Sequence, residues 1–164
     1  MGQRAKRPAG LKRGLNGASP PVDLATLPNH IGYVIRRAQV AIFQRIIERM
    51  ARLDIRPAQF SVLTVIGANP GLRAMEVSEA LGIRRPNLVA MLDELERRGL
   101  ARRKVVPGDR RAQALYLTRE GTALLRQLKR LAAAHERDVT RSISAAEKRQ
   151  LLRLLGRLTA AISR

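Results

Sequence analysis

The sequence predicts a mainly helical fold that contains one small β-hairpin. Apolar residues recur at intervals of three and four over most of the 164 residues, which is the spacing of amphipathic helices. Between residues 101 and 117 this spacing gives way to two short strand-like runs around a Pro-Gly turn. The length suits one domain with a core of its own, which we place over residues 24–164.

A long first helix is predicted from Pro28 to about Leu53. It carries an apolar stripe made of Ile31, Val34, Ile35, Ala38, Ile42, Ile46 and Met50. Pro57 suits the first position of a second helix, because its missing N–H costs nothing there. Phe60, Leu63, Val65 and Ile66 are expected to form the buried side of that helix, which ends at Asn69-Pro70-Gly71.

The next two helices form a helix-turn-helix. A short third helix is predicted from about Ala74 to Leu81, and Gly82 separates it from a fourth helix that starts near Pro86. Gly99 is expected to end the fourth helix. Its leucines at 88, 92 and 95 face the core. The polar and small residues near its start then point outward, namely Arg84, Arg85, Asn87 and Ala90.

A β-wing and two further helices complete the chain. Strands are predicted from Ala101 to Val106 and from Ala112 to Leu117, with the turn at residues 107–110. Thr118 is expected to cap a fifth helix with a stripe of Leu124, Leu128, Leu131 and Val139. Ser144 and Glu147 form a capping box for a sixth helix, whose stripe is Leu151, Leu154, Leu155, Leu158 and Ile162.

The predicted architecture is therefore a winged helix-turn-helix lobe over residues 57–118, flanked by helices at 28–53 and 119–163. The apolar stripes of the flanking helices are too long for so small a lobe to cover. We expect a homodimer in which these helices form the interface. The alternative is that the two ends of the chain pack on each other within one monomer.

The charge indicates a polyanionic partner. Lys and Arg number 32 against 13 Asp and Glu, a net charge of +19, and cations that contact phosphates release condensed counterions. A helix that offers polar groups at its start, next to a basic hairpin, can bind the grooves of double-stranded DNA. Residues 1–23 are predicted to be a disordered basic arm, which either touches DNA or is a solvated tail.

Several classes of protein are excluded by the composition. The chain has no cysteine, and its two histidines, His30 and His135, lack metal-site spacing, so we expect no metal and no cofactor. No catalytic constellation is visible, which argues against an enzyme. We expect no membrane span and no secretory signal, and hence a cytoplasmic protein.

Three short motifs carry a resemblance to a known family. They are Leu95-Glu96-Arg97-Arg98-Gly99-Leu100 with Arg103, then Asp109-Arg110-Arg111, then Leu117-Thr118-Arg119-Glu120-Gly121. In order and spacing they resemble the signature of the MarR family of bacterial transcription regulators. The resemblance covers about residues 28–163 and implies an obligate dimer that binds a palindromic operator, most often as a repressor.

The resemblance also implies DNA-contacting residues. The predicted base-reading set is Arg84, Arg85 and Asn87, with Ala90 on the same outward side of the helix. Arg110 corresponds to the wing tip, and Asp109 with Arg111 to the pair that shapes the wing or only stabilises its turn. Arg102, Arg103 and Lys104 are expected to anchor phosphates. A different class of function, a sequence-tolerant DNA-compacting protein, would also suit the charge.

Many members of the family are released from DNA by a small aromatic acid. In the first helix His30, Tyr33 and Arg37 fall beside the apolar stripe, and Phe60 lies early in the second helix. Aromatic walls and a guanidinium suit an aromatic carboxylate or its thioester, so these four residues form the predicted effector site. The alternative is that His30 and Tyr33 complete a dimer core and Arg37 pairs with an acid. The lack of cysteine excludes thiol-based peroxide sensing.

Overall fold

A computed structural model describes residues 22–106 and 109–162, with residues 106, 109–112 and 162 as backbone only. Within these ranges the elements are α1 (Ile31–Ala51), α2 (Pro57–Ala68), α3 (Ala74–Leu81), α4 (Arg85–Arg97), β1 (Ala101–Val106), β2 (Asp109–Leu117), α5 (Arg119–Thr140) and α6 (Ala145–Ile162). The described residues divide into two compact units, one that ends at Arg36 and one that begins at Arg37. Of the predicted basic arm, residues 1–21 lie outside the described residues.

The predicted order of elements is confirmed, with a correction at the start. Residues 27–29 form a 3-10 turn, and His30 is extended, so α1 begins at Ile31 and not at Pro28. Pro28 lies in the 3-10 turn, where a proline is tolerated because the first backbone N–H groups of a helix have no partner. The extended His30 then separates this turn from α1. None of the helices in the described part of the chain is long and apolar enough to cross a membrane.

The start of α2 is held by Gln59. The Arg56 side chain makes no capping hydrogen bond, and Gln59 Oε1 instead accepts one from the Arg56 backbone N–H at 2.8 Å. Gln59 is itself buried. Arg73 and Glu76 repeat the arrangement at the start of α3, at 2.7 Å. In both helices the side chain of the third residue, Gln59 or Glu76, accepts a hydrogen bond from the N-cap backbone N–H. It thereby orders the first turn although the N-cap side chain makes no capping hydrogen bond.

The wing is an antiparallel pair whose second strand is longer than predicted. Ala101 lies opposite Leu117, and the regular register continues to Val105 opposite Gln113. A register shift follows, after which Val106 pairs with Asp109. The strand β2 therefore begins at Asp109 and not at Ala112, because the irregularity lets residues predicted as turn join the ladder. On its other edge β2 pairs with the segment before α3, where Leu115 N donates to Leu72 O at 2.8 Å.

One core cluster joins the end of α1 to the wing and α5. The prediction for α4 is confirmed, since Leu88, Leu92 and Leu95 are fully buried. The prediction for α5 is partly wrong: Leu128 is buried and Leu124 packs partly buried against the core, but Leu125 and His135 share the buried side, and Leu131 and Val139 are only partly buried. The buried apolar residues are Ile46, Met50, Ile55, Val62, Leu63, Ile66, Val77, Leu88, Leu92, Leu95, Leu100, Ala101, Leu115, Leu125 and Leu128.

A close backbone contact joins the end of α4 to the start of α5. Thr118 Oγ1 accepts from Gly121 N at 2.9 Å and donates to Gly99 O at 2.6 Å, and Thr118 N donates to Leu100 O at 3.1 Å. A Cβ on Gly121 would overlap the carbonyl oxygen of Leu100. In the Leu-Thr-x-x-Gly motif, Thr118 therefore caps α5, and Gly121 is small enough to lie against the Leu100 carbonyl.

We predict opposite effects for two alanine substitutions. Gly121→Ala should destabilise the fold by about 3 kcal/mol, because a backbone oxygen cannot yield to the added methyl group as a side chain can. Gly156→Ala in α6 is the matched control, since a Cβ there meets nothing within 4 Å. It should stabilise the fold by about 0.5–1 kcal/mol through helix propensity. Urea unfolding of both variants measures this, and equal stability would contradict it.

Candidate nucleic-acid interface and apolar cavity

The turn between α3 and α4 sets the position of α4. Gly82 adopts the left-handed conformation with φ 61°, and Ile83 N donates to Ser78 O at 3.1 Å. This is the hydrogen bonding expected at a helix C-terminus that ends in glycine, and it satisfies the last carbonyls of α3. Arg84 then stands at the cap position of α4, immediately after the turn.

The start of α4 is exposed and cationic, as predicted. Arg84, Arg85, Asn87 and Ala90 are all exposed, the first turn contains no acidic residue, and the Arg84 side chain makes no capping hydrogen bond. Two arginines at the positive end of a helix dipole do not stabilise the helix itself. The same amides and charges favour an anion such as a phosphate. The local sequence therefore suits a ligand better than it suits the free helix.

A groove lies between the start of α2 and one side of α4. It has a volume of about 640 Å³, and Arg84, Asn87 and Ala90 line it together with Arg56. Ala90 stands on the side of α4 opposite the buried leucines, as helical spacing requires. The structure thus brings three of the four predicted residues of α4 to one groove. Arg85 is exposed but is not among the residues that line it.

Arg103 is held by carboxylates of α4. Its guanidinium lies 2.7 Å from Asp93 Oδ1 and 2.9 Å from Glu96 Oε2, and its backbone N–H donates to Glu96 Oε1 at 2.8 Å. The side chain is only 24% exposed. These contacts fix β1 against α4 and neutralise two negative charges on that helix. The predicted phosphate contact of Arg103 stays a prediction.

The remaining predicted contacts lie on the wing. Lys104 is exposed, and its Nζ lies 5.4 Å from the centre of the Tyr116 ring, a cation–π distance. Arg102 is also exposed and shares a face with Lys104 through the alternation of a strand. The backbones of Asp109, Arg110 and Arg111 lie in β2, and their side chains lie outside the described residues.

An apolar cavity of about 450 Å³ lies among α1, α2 and α5. Phe60 lines it as predicted, and Arg37 is not among its lining residues. His30 and Tyr33 belong to the first compact unit, where His30 is exposed and Tyr33 is partly buried. The lining residues are Ile42, Phe43, Ile46, Met50, Pro57, Ala58, Phe60, Ser61, Leu81, Ile83, Ala132, His135 and Glu136.

His135 is a cavity residue that the sequence reasoning passed over. It is 6% exposed and lies on the buried side of α5, seven residues after Leu128. That spacing on an apolar stripe was the available signal. Nearby, Arg49 of α1 donates to Asp138 of α5 at 2.7 Å and holds the pKa of that carboxyl below its ordinary value. Within the described ranges, no group of three His, Asp or Glu side chains could hold a metal ion.

The groove and the cavity share two lining residues. Ala58, in the first turn of α2, and Ile83, in the turn before α4, line both spaces. Leu81, the last residue of α3, lines the cavity, and Arg84, at the cap position of α4, lines the groove. A molecule in the cavity would therefore press on the segment that positions α4.

Comparisons with known proteins agree on one family. Residues 53–112 match the model of the MarR family. The chain is 30% identical to the HTH-type transcriptional regulator PecS of Dickeya dadantii over 83% of this chain and 84% of PecS. It is 40% identical to the transcriptional repressor CouR bound to a 23-mer DNA duplex, with a TM-score of 0.80 over 88% of this chain and all of CouR. CouR bound to p-coumaroyl-CoA gives 38% identity and a TM-score of 0.77, over 85% and 98%.

Proposed function

This chain belongs to the MarR family of transcription regulators, and we propose on that premise that it is a homodimeric repressor which an aromatic ligand releases from its operator. The observation that carries the proposal is the exposed, cationic start of α4 beside a groove. The similarity to CouR, whose structures contain a DNA duplex or p-coumaroyl-CoA, supports both parts. We place this activity in the cytoplasm.

The proposed base readers are the residues at the start of α4. Asn87 can form two hydrogen bonds with adenine, and Arg84 or Arg85 can form two with guanine. Ala90 leaves room at the centre of the exposed face and can contact a thymine methyl group. All four are exposed, and three line the groove, so the donors of Arg84, Arg85 and Asn87 are available to a base edge.

Lys104 and the wing are proposed to bind the backbone or the minor groove. An exposed lysine on a strand face is suited to a phosphate, which it neutralises without reading sequence. Arg110 is the proposed minor-groove residue, and Asp109 and Arg111 are proposed to order the wing. Arg103 supports binding indirectly, because it neutralises Asp93 and Glu96 on the helix that must approach polyanionic DNA.

The proposed dimer interface is formed by α1 and α6. No described residue of α6 is buried, although Leu151, Leu154 and Leu158 lie along one side of it and are 38–50% exposed. Val40, Phe43 and Ile47 of α1 are exposed as well. An 18-residue helix that buries nothing is marginally stable in water, since packing supplies most helix stability in proteins. A second copy of the chain supplies the missing apolar surface.

The apolar cavity is the proposed effector site. It is large enough for an aromatic ring with a short side chain, and Phe43 and Phe60 line it. A CoA thioester of the hydroxycinnamoyl type is the proposed ligand. We keep His30, Tyr33 and Arg37 as proposed contacts for parts of the ligand outside the cavity. Because Ala58 and Ile83 also line the groove, a bound ligand would change the position of α4.

We predict that Asn87→Ala weakens operator binding by about 1–3 kcal/mol and relaxes preference at one base position. Lys104→Ala should weaken operator and random DNA alike and lower the salt slope by about one unit. Fluorescence anisotropy with an operator selected from genomic DNA measures both effects. The wild type should prefer the operator by about 1000-fold, and a small preference would favour the DNA-compacting alternative. Equal losses on both DNAs for Asn87→Ala would contradict its assigned role.

We predict that Leu151→Glu disrupts the dimer. The substitution places two charges in the proposed interface, one from each copy, and should raise the dimer dissociation constant by about 100-fold or more. Arg153→Glu introduces the same side chain on the opposite face of α6 and should leave the dimer intact. Sedimentation equilibrium measures both variants. A Leu151→Glu protein that dimerises like the wild type would show that α6 has another role.

We predict that p-coumaroyl-CoA lowers operator affinity about 5- to 150-fold, which is the usual range of coupling. Ala132→Phe should abolish this response, because the new ring occupies the cavity in place of the ligand. Ala133→Phe is the control, since Ala133 is the exposed neighbour of Ala132 on α5. Titration of the thioester into the protein–operator complex measures the response. A normal response in Ala132→Phe would place the effector elsewhere, with Arg37→Ala the next variant to examine.

A further inference from the structure

His135 is the feature of the apolar cavity that the proposed function leaves unexplained. The side chain is 94% buried, and neither Nδ1 nor Nε2 has a hydrogen-bond partner among the described residues. Buried polar atoms are nearly always paired, and an unpaired one destabilises the folded protein. Both nitrogens of one ring left unpaired in a cavity wall point to a partner other than the described residues, such as a bound ligand.

The other polar lining residues already have partners. Ser61 Oγ donates to Pro57 O at 3.2 Å, and Glu136 forms an ion pair with Lys148 at 2.6 Å. Glu136 is exposed and belongs to the mouth of the cavity, whereas His135 belongs to its interior. His135 is therefore the one lining side chain, among those described, that has free hydrogen-bonding capacity inside the cavity.

The charge of the lining constrains which end of a ligand can enter. Neither Lys nor Arg is among the described residues that line the cavity, and its acidic residue is Glu136. A carboxylate placed inside would lose its hydration without gaining a cationic partner, which is costly. A neutral aromatic ring meets apolar side chains on most sides, including Phe43 and Phe60. The lining thus favours the neutral aromatic end over an anionic carboxylate or the phosphates of a CoA thioester.

We propose that the cavity takes the aromatic end of the effector and that His135 reads a hydroxyl group on that ring. This inference rests on the proposed function of the cavity as the effector site. A hydroxyl group both donates and accepts, so it can pair with an imidazole nitrogen that donates or with one that accepts. A cavity of about 150 Å³ holds benzene, so 450 Å³ leaves room for a substituted ring and part of its chain.

His135 is then a specificity-determining residue. A ligand that lacks the hydroxyl group would fill the cavity equally well but would leave the imidazole unpaired in the complex. Sites built to hydrogen-bond a hydroxyl discriminate strongly against such analogues, whereas sites that recognise a ring by shape alone do not. The structure therefore predicts that this chain distinguishes phenolic effectors from their unsubstituted counterparts.

The test compares p-coumaroyl-CoA with cinnamoyl-CoA, which differ only in the ring hydroxyl group. By calorimetry on the full chain, the wild type should bind p-coumaroyl-CoA at least about ten times more tightly. In His135→Leu the two dissociation constants should agree within about threefold, because the apolar side chain leaves nothing to pair. Ser61→Ala is the matched control, and it should keep the wild-type preference because the Ser61 hydroxyl is already bonded within α2.

Folding of the variants is a second readout. His135→Leu removes two unpaired polar atoms from a buried position, so its melting temperature without ligand should equal or exceed that of the wild type. His135→Gln keeps a donor and an acceptor and should retain part of the preference.

Equal binding of both thioesters to the wild type would overturn the role of His135 and leave the effector site standing. Binding of neither thioester would overturn both the effector site and the role of His135. A full preference for p-coumaroyl-CoA in His135→Leu would overturn the role of His135 alone.

Discussion

The contact between Gly121 and the Leu100 carbonyl fixes the geometry on which the candidate sites depend. It holds the end of α4 against the start of α5, and the Thr118 hydroxyl bridges the two segments with hydrogen bonds to Gly99 and Gly121. Arg98 adds a further restraint, because its guanidinium donates to the carbonyls of Leu53 and Asp54, in the segment between α1 and α2. With its C-terminal end fixed in this way and its leucines buried, α4 can leave its first turn exposed without losing its place in the fold.

Local signals in the sequence were sufficient to predict the extent and the buried side of a helix that has a single apolar face. In α4 a single set of leucines and two bounding glycines gave both the extent and the buried side correctly. In α5 leucines at 124, 125, 128 and 131 support two overlapping stripes, and only packing against the rest of the fold decides between them. The stripe of α1 raises a different problem. Periodicity reports that a helix has an apolar side, but it does not report whether that side meets the core or a second copy.

The sites show the same division between local and distant information. Exposure of the first turn of α4 could be predicted, since it follows from the position of the buried leucines in the same helix. The pairing of Arg103 with Asp93 and Glu96 could not, because it depends on how β1 returns across α4. His135 was judged on metal-ligand spacing and dismissed. The role of His135 depends on the cavity around it, which is formed by helices that are distant in sequence.

The wall shared by Ala58 and Ile83 gives the two sites a physical reason to act together. A ligand shifts a conformational equilibrium only if it binds the two states with different affinity. A ring that fills the cavity contacts Ala58 and Ile83, and packed apolar walls resist deformation, so it would bind more tightly to one position of the turn before α4 than to another. The net charge of +19 acts differently, because it attracts any duplex whichever way α4 is turned. Charge therefore supplies general affinity for DNA, and the shared wall is the contact through which a ligand in the proposed effector site would act on the placement of α4.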